Sequence, residues 1–155
     1  MNALTFRTNG QRFACNIEKV QSVENNLRVS FVPKMPDYVD GFVKQQGEVI
    51  PVLDLGYLLY DRTTSRKDGE AYIIYQAEAL TIAFFVEHAD QIVQMEDDKL
   101  AEKSLQTYSQ VPYFRAIYDL EDELVTIIDF DILVNSTEGM EDVIEFAQDE
   151  MNEMK

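Results

Sequence analysis

Cysteine is nearly absent: Cys15 is the single copy in 155 residues, so the chain can form no internal disulfide and no thiolate cluster for zinc. Histidine is as scarce. His88 stands alone and, like Cys15, lies in no catalytic or metal-binding motif, so the expectation is His88 in a surface turn and Cys15 as a small strand residue. Basic residues are outnumbered, 13 Lys and Arg against 29 Asp and Glu, for a formal charge of −16. Such a chain repels a phosphate backbone or an anionic lipid surface unless its cations segregate. The densest group, Arg62, Arg66 and Lys67, is broken by Thr and Ser and reads as a loop, which argues against nucleic acid as a partner. Long apolar runs are also missing. The cleanest, Ile82 to Val86, is far short of the roughly 20 residues of a membrane helix, and the opening Met-Asn-Ala-Leu-Thr-Phe has neither the basic region nor the apolar core of a signal peptide. A cytoplasmic protein with no direct membrane insertion is expected. The six glycines are scattered and none precedes Lys-Ser/Thr, so there is no phosphate cradle and no cofactor is expected.

What is present is core material and punctuation. Hydrophobic residues make up 46% of the chain, with nine Phe and eight Tyr, enough to bury one domain or two small lobes. Short alternating runs dominate. Leu4–Thr8 and Gln11–Ile17 flank Asn9-Gly10 as a hairpin, and Tyr38–Gln46 and Glu48–Leu53 flank Gly47 as a second. Further strands are expected at Val20–Val23, Ala71–Tyr75, Leu80–Val86, Gln91–Met95, Phe114–Tyr118 and Leu124–Ile128, with Arg62–Gly69 as a loop.

Two echoes run through these strands. Ala14, Ile17, Glu18 and Val23 recur 69 residues on as Ala83, Val86, Glu87 and Ile92; Ile50, Val52, Leu53, Asp54, Leu55 and Leu58 recur 75 residues on as Val125, Ile127, Ile128, Asp129, Phe130 and Leu133. The order is the same in both copies, which implies two similar β lobes, about residues 1–65 and 66–137, within one domain spanning 1–137. Residues 138–155 differ: Val143, Ile144, Ala147 and Met151 recur at helical spacing among acids, which predicts an acidic amphipathic helix packed on a lobe.

The acids could be chemistry or structure. Asp119, Glu121, Asp122 and Glu123 lack the ligand spacing of a calcium loop and read as a solvated hairpin turn. Asp54 and Asp129, equivalent in the two copies, raise the possibility of a paired-aspartate hydrolase or a metal-binding barrel. Each, however, is followed by a large apolar residue, Leu55 or Phe130, where such dyads need Thr/Ser-Gly; the other reading is a cap that ends a strand and starts a short helix.

The order of Phe13–Val23, Val32-Pro33, Pro36, then Gly47-Glu-Val-Ile-Pro-Val-Leu-Asp-Leu55, then Ile82–Ile92 and Leu124–Leu133 resembles the CheW family of chemotaxis coupling proteins. The resemblance runs from about Leu4 to Val134. It implies a mainly β fold of two small SH3-like five-stranded barrels packed together, with no active site and no metal. It also implies an adaptor that links the regulatory domain of the histidine kinase CheA to the cytoplasmic tips of methyl-accepting chemoreceptors. By match to the motifs, Val20, Val23, Gly41, Gln46, Gly47, Ala83, Glu87 and Ile92 fall where the family places interface or groove residues. A plain role stands beside each: Val23 and Ile92 as core, Gly41 and Gly47 as turn or bulge positions. Pro51, Asp54 and Asp129 are expected to be structural, Pro51 at a barrel edge or bulge where a missing donor is tolerated.

The chain also departs from the family. Gln46 replaces the arginine usual before the signature glycine, Ser22 replaces a glutamate, and Ala116 stands where a second copy of Gly41 would fall. An amide cannot make the charged bidentate pair of a guanidinium. These changes leave open a second reading, a regulator of a kinase pathway outside chemotaxis.

Overall fold

Turn chemistry sets the local strands. In the computed structural model, which describes residues 1–66, 69–96, 100–101, 111–121 and 123–154, Asn9 and Gly10 (φ 54° and 76°) close the hairpin of β1 (Asn2–Thr8) and β2 (Gln11–Asn16). A 3-10 turn at Ile17–Lys19 leads to β3 (Val20–Glu24). Gln46 and Gly47 (φ 52° and 80°) close a second tight hairpin between β4 (Val39–Gln45) and β5 (Glu48–Asp54), which ends in α1 (Leu55–Tyr60). The chain continues through β6 (Ala71–Gln76), β7 (Thr81–Val86), β8 (His88–Gln94), β9 (Leu100–Ala101), β10 (Phe114–Leu120) and β11 (Glu123–Ile128). It ends in α2 (Phe130–Ser136) and α3 (Met140–Glu153).

The strands form two sheets, β8-β1-β2-β11-β10-β9 and β3-β6-β7-β5-β4. This is the mainly β, two-lobed architecture with a C-terminal helix that was expected, with a short sixth strand, β9, added to one sheet. The lobes do not follow the boundary expected near residue 65. The chain lays β1 and β2 in the first sheet, builds β3 to β7 in the second, and returns to the first for β8 to β11.

The pairings recur at the offsets of the sequence echoes. Leu4 pairs with Cys15 and with Ile92, and 69 residues away Ile73 pairs with Phe84 and Val23. Ala14 pairs with Ile127 in parallel, and its counterpart Ala83 pairs with Val52. Bulges recur at the same offsets, between Val39 and Gly41 and between Phe114 and Ala116. Each copy therefore lends its first two strands to the sheet completed by the other, and the lobes are built by exchange rather than side by side.

The junction is aromatic. Phe130, the first residue of α2, stacks on Phe84 of one sheet at 4.1 Å and on Phe6 of the other at 5.9 Å, and one apolar cluster runs through both lobes. On α3, Met140, Val143 and Ala147 are buried while Glu141, Asp142, Glu145 and Asp149 face water. Phe146 adds an anchor, its ring 4.9 Å from that of Phe42.

Three local expectations need correcting. His88 lies in no turn: it opens β8 opposite Arg7, with its exposed ring 3.3 Å from Asp90. Pro51 is not at an edge, because β5 lies between β7 and β4. In the other sheet Thr126 pairs with Phe13, whereas here the parallel ladder starts at Val52, just past the proline that has no N–H to donate. Within the acid run, Glu123 is tied to Arg7 rather than merely solvated; Asp122 and Lys67 lie outside the described residues.

Candidate functional site

Two of the exposed apolar side chains, Val23 and Ile92, sit on sheet edges. β3 ends one sheet and β8 ends the other, and neither has an outer partner strand among the described residues. Val23 on β3, 38% exposed, lies opposite Ile73; Ile92 on β8, 62% exposed, lies opposite Leu4. These are the same position in the two copies. Val20, three residues before Val23 and across an irregularity in the pairing, is half-buried opposite Tyr75. An edge that offers unpaired backbone and an apolar side chain is a place for another chain to add. Burying such a side chain from full exposure is worth about 1.5–3 kcal/mol, and covering the part still exposed here is worth the corresponding fraction.

The other motif-matched residues do not gather there. Gln46 and Gly47 form the exposed tip of the β4–β5 hairpin. Gly41 is buried where Ser30 crosses β4: Ser30 N donates to Phe42 O at 2.8 Å, Phe42 N donates to Ser30 O at 2.9 Å, and a Cβ on Gly41 would stand 2.3 Å from Ser30 O. Ala83 is fully buried in the middle of β7, so its small side chain serves packing and touches no partner directly. Glu87 accepts from Gly10 N at 2.9 Å and its own N–H donates to Arg7 O, which fastens the β1–β2 turn.

Asp54 and Asp129 occupy two separate helix caps. Asp54, 1% exposed, accepts from Tyr57 N at 3.1 Å, from Thr64 N at 2.9 Å and from the Thr64 hydroxyl. Three of its roughly four acceptor sites are taken. Asp129 accepts from Ile132 N at 3.0 Å at the start of α2. Asp54 is sealed from solvent while Asp129 is half-buried at the wall of a cavity, and among the described residues no group of three His, Cys, Asp or Glu side chains could hold a metal ion.

Two charge clusters were not legible in the sequence. Arg7 donates to both oxygens of Glu123 at 2.9 Å, and Arg12 Nε lies 3.2 Å from Asp90 Oδ2, paired in charge but poorly aligned for a hydrogen bond. The hydrogen bond from Arg7 holds the Glu123 carboxyl below its ordinary value. Beside the lobe junction, Asp131 accepts from Lys19 at 2.6 Å and from Tyr75 OH at 2.7 Å, and burial pushes the Tyr75 phenol up. These three residues and Cys15 line a cavity of about 270 Å³, where burial raises the thiol to about 12. Such a thiol is a packing group, not a nucleophile.

Comparison with known proteins decides the family. A family model described as a CheW-like domain matches residues 2–138. The chain belongs to the CheW family. It is 25% identical over 128 residues to the chemotaxis protein CheW of Bacillus subtilis (strain 168), covering 81% of each chain. It is 21% identical over 137 residues to the probable chemotaxis protein CheW of Rhizobium etli, covering 88% of each. Its fold matches the scaffolding protein TtCheW of Thermoanaerobacter tengcongensis with a TM-score of 0.77 at 18% identity, over 89% of this chain and 94% of that one. Both sequence relatives are chemotaxis proteins by name. No helix among its described residues is long and apolar enough to cross a membrane.

Proposed function

We propose that the chain is a non-enzymatic cytoplasmic adaptor that couples the regulatory domain of a CheA-like histidine kinase to the cytoplasmic tip of methyl-accepting chemoreceptors. It neither inserts into the membrane nor binds nucleic acid. The observation that carries this reading is the pair Val23 and Ile92, equivalent apolar residues exposed on the free edges of two lobes. Two equivalent edges on one rigid core give a single protein two places to hold two partners. The aromatic junction at Phe130 ties those places together mechanically. Coupling then needs only that binding differ in strength between two kinase states; about 1.4 kcal/mol of difference changes the affinity tenfold.

The test is co-elution of the purified chain with a CheA regulatory domain and with a receptor-tip fragment. The adaptor reading expects a complex with each. No shift with either at tens of micromolar, on the order of 6 kcal/mol of affinity, sinks it for those partners. A second reading, control of a kinase outside chemotaxis, is favoured by one feature: the exposed hairpin tip carries Gln46 where the family has arginine. If the chemotaxis partners bind only after Gln46→Arg, that reading replaces the first.

A further inference from the structure

The duplication offers a comparison within one molecule. On one lobe α3 lies against β5, with Gln148 reaching Ala79 O at 3.4 Å, and its Met140, Val143 and Ala147 belong to the buried cluster that runs through both lobes and that also takes in Val39, Val49, Leu80, Ile82 and Val134. Shifted by the offsets of the duplication, 69 residues for Leu80 and Ile82 and 75 for the rest, these five become Gln11, Phe13, Phe114, Leu124 and Leu59. All five line a single open groove of about 450 Å³. The difference in cover is plain at one pair: Val49 is 3% exposed and its counterpart Leu124 is 66% exposed. Where α2 leads into α3, α1 leads into residues 61–66, which are not helical. The second lobe therefore keeps the seat without the helix.

The charge of the groove indicates what would sit there. Arg62 lines it with no acid in the lining, and Arg12 lines it while paired behind with Asp90 and Glu123, on a chain of net charge −16. The helix in the equivalent seat carries Glu141, Asp142, Glu145, Asp149, Glu150 and Glu153 and no base. We propose that this groove is a further docking site, on different strands from Val23 and Ile92, for an acid-rich amphipathic helix of a partner protein, seated as α3 sits on the other lobe. The chain's own helix is not free to fill it in a second copy, because Val143 and Ala147 are fully buried at home.

A fluorescent peptide with the sequence Met140–Glu153, titrated with the full chain and followed by anisotropy, tests this. Saturable micromolar binding is expected. Leu124→Glu should weaken it at least roughly tenfold, as loss of a central apolar anchor does, and Arg62→Glu should weaken it several-fold and flatten its dependence on salt. Circular dichroism checks that both exposed-site variants remain folded. Absence of binding overturns the proposal, and so does binding that both variants leave unchanged, since the peptide would then be exchanging with α3 at its own seat. Self-association of the chain that Leu124→Glu relieves would replace the partner helix with a second copy and overturn it equally.

Discussion

Asp54→Ala should cost the fold far more than Asp129→Ala, although the two acids are equivalent in sequence and both cap a helix. At Asp129 the loss is one N-cap bond to Ile132 N on a half-buried side chain, about 1 kcal/mol. At Asp54 the same cap is lost, and the buried Thr64 N–H is left without its acceptor, a further cost of about 1–3 kcal/mol. The Thr64 hydroxyl also loses its acceptor, though it still accepts from Gly56 N at 3.1 Å. The two terms sum to about 2–4 kcal/mol, a large part of the roughly 5–15 kcal/mol that holds a typical domain. Urea unfolding followed by far-ultraviolet circular dichroism measures both, since the chain has no tryptophan. Asp54→Asn should fall between, because an amide keeps an acceptor for one N–H but turns a donor toward the other. Equal losses for the two alanine variants would refute the idea that Asp54 is a buried latch and Asp129 a simple cap.

Gly41→Ala should cost more than about 2 kcal/mol, because its Cβ meets backbone at Ser30 O, whereas Ala116→Gly at the equivalent bulge should cost about 1 kcal/mol; thermal melts of the pair separate them. Arg7→Gln should flatten the acid limb of stability. The lowered Glu123 carboxyl stabilises the fold above the ordinary glutamate value of 4.5 and loses that contribution as pH falls through the lowered value, so urea midpoints measured from pH 7 down to pH 3 should fall less steeply in the variant. Cys15, raised to about 12, should resist a disulfide reagent at pH 8 in the folded chain and react fully in urea; rapid reaction of native protein would contradict its burial. Phe146→Ala should cost about 2–3 kcal/mol and expose Phe42, read as faster amide exchange across β4 and β5.

Local chemistry made much of this fold legible. Asn9-Gly10 and Gly47 marked hairpins because glycine takes positive φ at no steric cost and asparagine at little, and the 143, 147, 151 spacing marked α3 because one stripe of it meets the core. The echoes gave the duplication and its offsets. They could not give the exchange of strands, because the β2–β11 pairing joins Ala14 to Ile127 and parallel ladders leave no signal at that separation. The same distance hid the Arg7–Glu123 pair, and read from the sequence alone Glu123 was one acid in a run. Among the motif-matched positions, strand alternation could not tell which side of a lobe faced water. Ala83 fell inside and Ile92, nine residues on, fell outside. Phe31, 77% exposed in the loop before β4, carried no motif at all.

The central claim is that two equivalent edges serve two partners. Isothermal titration of a CheA regulatory domain and of a receptor-tip fragment into wild type, Val23→Asp and Ile92→Asp tests it directly. Each charged variant should retain the wild-type urea midpoint within about 1 kcal/mol, because neither side chain is core. Each should weaken binding of one partner at least roughly tenfold while leaving the other within about threefold. Wild-type affinity for both partners in both folded variants would contradict the account.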